Sequence, residues 1–105
     1  MKILVVCGAG ASSAFVAHRM RVTGKARGLT LTVGAGSESD LPGSLHSVDV
    51  LLVGPHLAPR LDRIRAQAKK LGVGVALLPK EVFAAQDGDL AVNLAVDAEH
   101  ERFWV

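Results

Sequence analysis

The chain has 105 residues and a mass of 11.0 kDa, which suits one small domain spanning residues 1–105. Half of the residues are apolar and 21% are charged, a globular ratio that excludes a mainly disordered chain. The net charge is only +2 and aromatic residues make up 4%, so the composition does not favour a nucleic-acid-binding protein.

The first apolar run of the chain is Ile3–Cys7. It is far shorter than the roughly 20 residues of a membrane span. It is also too short for the apolar region of a secretory signal, and Gly8 and Gly10 interrupt it. The sequence therefore predicts a cytoplasmic chain without direct membrane insertion.

The first elements form a strand, a glycine-rich turn and a helix. The run Lys2–Cys7 is β-rich and apolar, which is typical of a buried parallel strand. After the turn GAGASS, apolar residues recur at spacings of three and four, which predicts an amphipathic helix to about Arg27. Ser12 or Ser13 is expected to cap the start of this helix, and Gly28 to end it.

The rest of the chain alternates short apolar runs with amphipathic segments, and Gly or Pro separates them. Little or no helix is expected between the second and third strands. The predicted elements are strands at Leu29–Ala35, Val48–Val53 and Val73–Leu78, a helix at about Ala58–Leu71, one or two helical turns at Lys80–Ala85, and a last helix opening at Asp87.

This order predicts an α/β fold, a three-layer α/β/α domain with a four-stranded parallel sheet. We expect the strand order 2-1-3-4, as in flavodoxin-like and phosphotyrosine-phosphatase-like domains. Ligands of such sheets lie beyond the carboxyl ends of the strands, near the switch point beside the first strand. Cys7 ends the first strand and lies there.

The chemistry of this turn centres on Cys7, because a thiol at a helix N-terminus is stabilised as the thiolate. We expect it to be partly exposed with a lowered pKa. The small residues Gly8–Ala11 let backbone amides point inward and accept an oxyanion, and Ser12 and Ser13 add hydroxyl donors. A thiolate beside such an oxyanion-binding loop is suited to forming a phosphocysteine intermediate. A buried cysteine before an ordinary turn is the alternative.

Several other kinds of site are disfavoured. The turn satisfies neither the dinucleotide-binding glycine pattern nor the Walker pattern. One cysteine excludes a disulfide within the chain and disfavours a cysteine-based zinc site. The four histidines lack the spacing of metal ligands, so neither a metal nor a cofactor is predicted.

Two motifs resemble the B component (enzyme IIB) of the lactose/cellobiose/chitobiose class of the bacterial sugar phosphotransferase system. MKILVVCGAGASS resembles that family's first strand and its Cys-x-x-Gly-Met-Ser-Thr-Ser loop. Asp49–Ala58, DVLLVGPHLA, resembles its D-V-(apolar)3-G-P-Q-(apolar)-A motif, and Gln86–Gly88 is a third match. The resemblance covers essentially the whole chain.

The resemblance implies a phosphoryl carrier, a phosphotransferase component of the bacterial cytoplasm. Cys7 would accept phosphate from a phosphohistidine on the A component and pass it to a sugar entering through the membrane-embedded C component. The chain would reach the membrane only through that C component. Backbone amides of the loop would hold the phosphate, at Gly8, Ala9, Gly10, Ala11, Ser12, Ser13 and Ala14.

Departures from the family pattern lie around the expected site. Ala11 stands where Met is common and Ala14 where Ser is common. Pro55 and His56, which replaces the usual Gln, follow the third strand, and Pro79 follows the fourth, so these three are expected at the edge of the site. The sequence does not identify the sugar.

Two alternatives stay open. Low-molecular-weight phosphatases and arsenate reductases share the strand and the cysteine, but their Cys-x5-Arg pattern would need an arginine where Ser13 stands. A non-catalytic flavodoxin-like binding module is the other alternative. A receiver domain is disfavoured because Asp49 is expected at the beginning, not the end, of the third strand.

Overall fold

The computed structural model describes residues 1–7, 10–41 and 43–101, without the side chains of Gly10 and Ala11. The four strands are β1 (Lys2–Cys7), β2 (Thr32–Ser37), β3 (Val50–Val53) and β4 (Gly74–Leu77). The four α-helices of the described residues are α1 (Gly10–Ala26), α2 (Leu61–Lys69), α3 (Glu81–Ala84) and α4 (Asp89–Glu101). Short 3₁₀ turns occupy Glu38–Asp40, Gly43–Ser47 and Pro55–Arg60.

The strands form one parallel sheet in the order β2-β1-β3-β4, so the predicted topology and fold class are confirmed. β1 lies between β2 and β3. Two hydrophobic cores cover the sheet, one on each face. Ile3 and Val5 of β1 belong to the core that contains residues of α1 and α4, whereas Leu4 and Val6 belong to the core that contains residues of α2. This alternation follows from the two-residue period of a strand.

β2 begins three residues later than predicted, because the preceding residues form the exit from α1. Gly28 has a φ of +72°, a left-handed conformation that ends the helix. The Leu29 amide then donates to the Gly24 carbonyl at 2.9 Å. The ladder starts only where the Thr32 amide reaches the Met1 carbonyl, also at 2.9 Å.

The second amphipathic helix is also shorter than predicted. The segment Pro55–Arg60 is a 3₁₀ turn, and α2 begins only at Leu61. Pro59 lies inside this turn, and a proline disfavours the α conformation at the residue before it. Gly72, with a φ of +69°, closes the segment after α2, at the residue that the sequence indicates.

Candidate active site

Cys7 lies at the carboxyl end of β1, in the middle of the sheet edge where parallel-sheet ligands bind. Its neighbour on β2 is Ser37, the partner in the β1–β2 register. On the β3 side, the amide of Gly54 donates to the carbonyl of Val6 at 2.8 Å. The thiol therefore lies between the ends of two neighbouring strands.

The first turn of α1 follows Cys7 closely. The helix begins at Gly10, so the serine cap predicted at Ser12 or Ser13 is wrong, and both serines lie inside the helix. The first amides of an α-helix have no acceptor within the helix, and here they belong to Gly10, Ala11 and Ser12. The predicted phosphate-binding residues Gly8 and Ala9 lie outside the described residues.

Ser13 fastens α1 to β2. Its side chain is fully buried, and its hydroxyl donates to the carbonyl of Gly36 at 2.9 Å. This bond brings the start of α1 to the end of β2, one residue before Ser37. Ser13 therefore has a structural partner for its proton, whereas Ala14, the next predicted residue, is exposed and carries no hydroxyl.

Gly54 makes room for the thiol. A Cβ atom at this position would lie 2.9 Å from Cys7 Sγ and 3.3 Å from Cys7 Cα, closer than such atoms normally approach. In the sequence, Gly54 belongs to a Gly-Pro turn signal and to the motif DVLLVGPHLA, and neither predicts its contact with the thiol. The predicted strand order already places the third strand beside the first, but only the register shows that Gly54 meets the Cys7 side chain.

The environment of Cys7 contradicts the expected partly exposed thiol. The side chain has no solvent-exposed surface, and this burial raises the pKa of the Cys7 thiol above its ordinary value of 9.0. A hydrogen bond with the Ser12 side chain lowers the pKa, but its effect is smaller. The expectation of a lowered pKa was wrong because it counted the helix N-terminus and not the removal of water.

The three residues predicted at the site edge lie at different distances from the thiol. Pro55 and His56 begin the 3₁₀ turn after β3, the strand next to β1, and His56 is exposed. Pro79 follows β4, two strand positions from β1, which corresponds to about 10 Å across the sheet. Only the first two are therefore adjacent to the end of β1.

One ion pair connects the segments on either side of Cys7. Arg60 Nη1, at the end of the turn after β3, lies 3.0 Å from Glu38 Oε1, which follows β2. Both side chains are more than one-third exposed, so the pair adds little to the free energy of folding. It places an arginine near the carboxyl edge of the sheet.

Two further observations concern ligands and membranes. Among the described residues, no group of three or more His, Cys, Asp or Glu side chains is arranged to hold a metal ion. Over the same part of the chain, no helix is long and apolar enough to cross a membrane.

A family model and two solved structures that are similar to this chain all describe IIB proteins of the phosphotransferase system. The family model described as "PTS system, Lactose/Cellobiose specific IIB subunit" matches residues 2–89. A lactose-specific IIB component domain of the phosphoenolpyruvate:carbohydrate phosphotransferase system from Streptococcus pneumoniae is similar in structure, with a TM-score of 0.84 at 14% identity, covering 93% of this chain and 96% of that one.

A second similar structure is the cellobiose-specific phosphotransferase IIB component from Borrelia burgdorferi. Its TM-score is 0.74 at 24% identity, and the match covers 97% of this chain and 94% of that one. No match was found among curated protein sequences. At these sequence identities the two solved structures establish the fold of this chain. The family model matches residues 2–89, which is most of the chain.

Proposed function

Because this chain belongs to the lactose/cellobiose-specific IIB family of the sugar phosphotransferase system, we propose that it carries a phosphoryl group on Cys7. The donor is a phosphohistidine on the A component, and the acceptor is a sugar bound by the membrane-embedded C component. The observation that carries this proposal is the position of Cys7, at the middle of the carboxyl edge and beside the first turn of α1.

The transfer to Cys7 exchanges a phosphorus–nitrogen bond for a phosphorus–sulfur bond. The sulfur attacks the phosphorus, the bond to the imidazole nitrogen breaks, and the thiol proton passes to that nitrogen. Burial raises the pKa of Cys7, so the resting group is the protonated thiol and brings the proton that the leaving imidazole needs. Atoms and charge therefore balance without a separate acid.

The first turn of α1 supplies the groups that would hold the phosphoryl oxygens. The amides of Gly10, Ala11 and Ser12 belong to the first turn of α1, where the helix dipole also favours an anion. The hydrogen bond between Ser12 and Cys7 supports a place for that residue beside the sulfur. Ser13 and Ala14 contribute less to binding the phosphoryl oxygens, because their amides lie beyond the first three of the helix.

A phosphatase activity is disfavoured by the residue at the arginine position of the Cys-x5-Arg pattern. That residue is Ser13, and its hydroxyl is engaged with the carbonyl of Gly36. The first arginine after it, Arg19, donates to the carbonyl of Ala85 and stacks over the ring of Phe15 at 4.4 Å. Arg19 is therefore held away from the thiol, and rapid hydrolysis of a phosphocysteine lacks its usual arginine.

The partners follow from the proposed chemistry. The chain must meet a phosphorylated A component and then the C component, so it works in the bacterial cytoplasm and reaches the membrane through the C component alone. No bound metal or cofactor has a step in this transfer. The identity of the sugar is set by the complex with the C component.

The experiment is phosphoryl transfer from the phosphorylated A component of a lactose or cellobiose system to this chain. We expect wild-type protein to gain one phosphoryl group and Cys7→Ser to gain none, because a serine hydroxyl is a poor nucleophile near neutral pH. Ser47→Ala, a variant in an exposed 3₁₀ turn, is the matched control and should behave as wild type. Phosphorylation of folded Cys7→Ser would exclude Cys7 as the nucleophile.

A further inference from the structure

Ser37 shares one face of the sheet with Cys7. The two residues are partners in the β1–β2 register, and strands of a sheet lie about 4.8 Å apart. Ile3 and Val5 face the core that contains α1 residues, so Cys7, two residues further, faces the same side. Side chains of register partners in a parallel sheet point to the same face, which places Ser37 there too.

The glycines of β2 confirm this assignment of faces. A Cβ atom on Gly34 or Gly36 would contact the side chain of Leu4, which belongs to the opposite core. Ser37 follows Gly36 in extended conformation, with φ −121° and ψ 169°, so its side chain points away from Leu4. The Ser37 side chain therefore leaves the sheet on the same face as the Cys7 side chain, on the neighbouring strand.

The hydrogen bonds of Ser37 leave its hydroxyl able to donate. Its amide is taken, since it donates to Asp40 Oδ2 at 2.8 Å. Its hydroxyl accepts from the Asp40 amide in a capping box and lies 2.8 Å from the hydroxyl of Ser39, where either oxygen can be the donor. A hydroxyl both donates and accepts, so Ser37 can accept from Ser39 and give its own proton to an anion.

Gly54, which adjoins the thiol on the β3 side, offers no such donor. Gly54 has no side chain, and its amide is bonded to the carbonyl of Val6. The helix amides approach from α1, which leaves the β2 side for the remaining phosphoryl oxygen. We propose that Ser37 donates a hydrogen bond to the phosphoryl group on Cys7, with Ser39 as its supporting partner. This inference rests on the proposed phosphorylation of Cys7.

The test compares Ser37→Ala with Ser37→Thr, which keeps the hydroxyl, and with Ser47→Ala as the control in an exposed turn. Each variant is equilibrated with a phosphorylated A component. We expect Ser37→Ala to lower the ratio of phosphorylated chain to phosphorylated donor about tenfold, the effect of one hydrogen bond to a charged group. Ser37→Thr should recover most of the loss, and Ser39→Ala should show a smaller one.

Phosphorus NMR of the phosphorylated proteins provides a readout that a purely structural role would not change. A lost donor should raise the second pKa of the phosphoryl group in Ser37→Ala relative to wild type and Ser47→Ala. Equal transfer equilibria and equal titration midpoints in Ser37→Ala and Ser47→Ala would overturn the role of Ser37 while leaving the carrier function intact. Failure of wild-type protein to accept any phosphoryl group would instead overturn both proposals.

Discussion

The close approach of Gly54 to Cys7 makes this glycine a sensitive position. In Gly54→Ala the new Cβ would lie 2.9 Å from Sγ and 3.3 Å from the Cys7 backbone, so β1 and β3 must shift at their carboxyl ends. We expect a loss of about 1–3 kcal/mol in the free energy of unfolding, measured by urea denaturation, together with slower phosphoryl transfer.

The control for this substitution is Gly43→Ala. Gly43 begins the 3₁₀ turn Gly43–Ser47, and apart from its chain neighbours no described atom lies within 4 Å of the position that its Cβ would occupy. Gly43→Ala should change the free energy of unfolding by no more than about 0.5 kcal/mol. If Gly54→Ala were as stable and as active as Gly43→Ala, the tight packing of Gly54 on the thiol would not matter for either property.

The titration of Cys7 follows from its burial. The rate of alkylation by iodoacetamide should rise with pH through a midpoint above 9.0, because burial raises the pKa of the thiol. Ser12→Ala should move the midpoint higher still, since the hydrogen bond with Ser12 lowers the pKa. A wild-type midpoint below 9.0 would contradict the buried environment.

The same shift has a consequence for stability. Because the pKa of Cys7 is raised in the folded chain, the folded state favours the protonated thiol. The resulting contribution to stability is complete below the pKa of the unfolded chain and is lost as the pH rises through the folded value. Cys7→Ala should therefore weaken the fall in stability above pH 9 without changing its acid limb.

At the scale of the elements, one buried hydrogen bond joins α1 to the start of α4. The amide of Gly88 donates to Thr23 Oγ1 at 2.9 Å, and Thr23 is buried. Thr23→Val keeps the shape and removes the acceptor, so we expect a loss of about 1–3 kcal/mol in the free energy of unfolding. Thr32→Val, at an exposed position of β2, should change it by less than about 0.5 kcal/mol. Equal stability of the two variants would show that this bond contributes little.

Patterns along the chain predict the elements well where local chemistry decides them. β1 begins and ends as predicted, because a β-rich apolar run is followed directly by a glycine. The start of α2 was misplaced because Ala58 and Arg60 continue the amphipathic pattern, while the backbone around Pro59 forms a 3₁₀ turn. Periodicity reports which face is apolar, but it does not separate an α-helix from a tighter turn.

The candidate site depends on contacts between distant parts of the chain as well as on local sequence. The sequence identifies Cys7 and the glycine-rich turn, since both are local features. Ser37 and Gly54 become neighbours of Cys7 only through strand pairing across 30 and 47 positions of the chain. The burial of the thiol depends on these non-local neighbours, which explains why its exposure and its pKa were predicted in the wrong direction.

At the scale of the whole molecule, the basic outer face of α2 begins close to the carboxyl edge of the sheet, where the candidate site lies. Arg63 is exposed in the first turn of α2, whereas Arg60 just before it is paired with Glu38. We expect Arg63→Glu to slow association with the A component at low salt, with a smaller difference at high salt, because exposed charges are screened. Stopped-flow transfer kinetics at several salt concentrations measure this effect.

Lys25→Glu is the control for this charge reversal. Lys25 is exposed in the last turn of α1, at the opposite end of the helix from Cys7. Lys25→Glu changes the net charge by the same amount as Arg63→Glu. It should leave the transfer rate close to that of wild type at every salt concentration. The same loss of rate in both variants would indicate an effect of net charge and not of a docking surface.

The central claim is that this chain holds a phosphoryl group on Cys7 until the next partner takes it. The most direct measurement is phosphorus NMR of the protein after transfer from the A component and removal of that donor. We expect a thiophosphate monoester signal that persists in the isolated chain and never forms in Cys7→Ser. A phosphohistidine signal in its place, or immediate release of inorganic phosphate by wild-type protein, would contradict it.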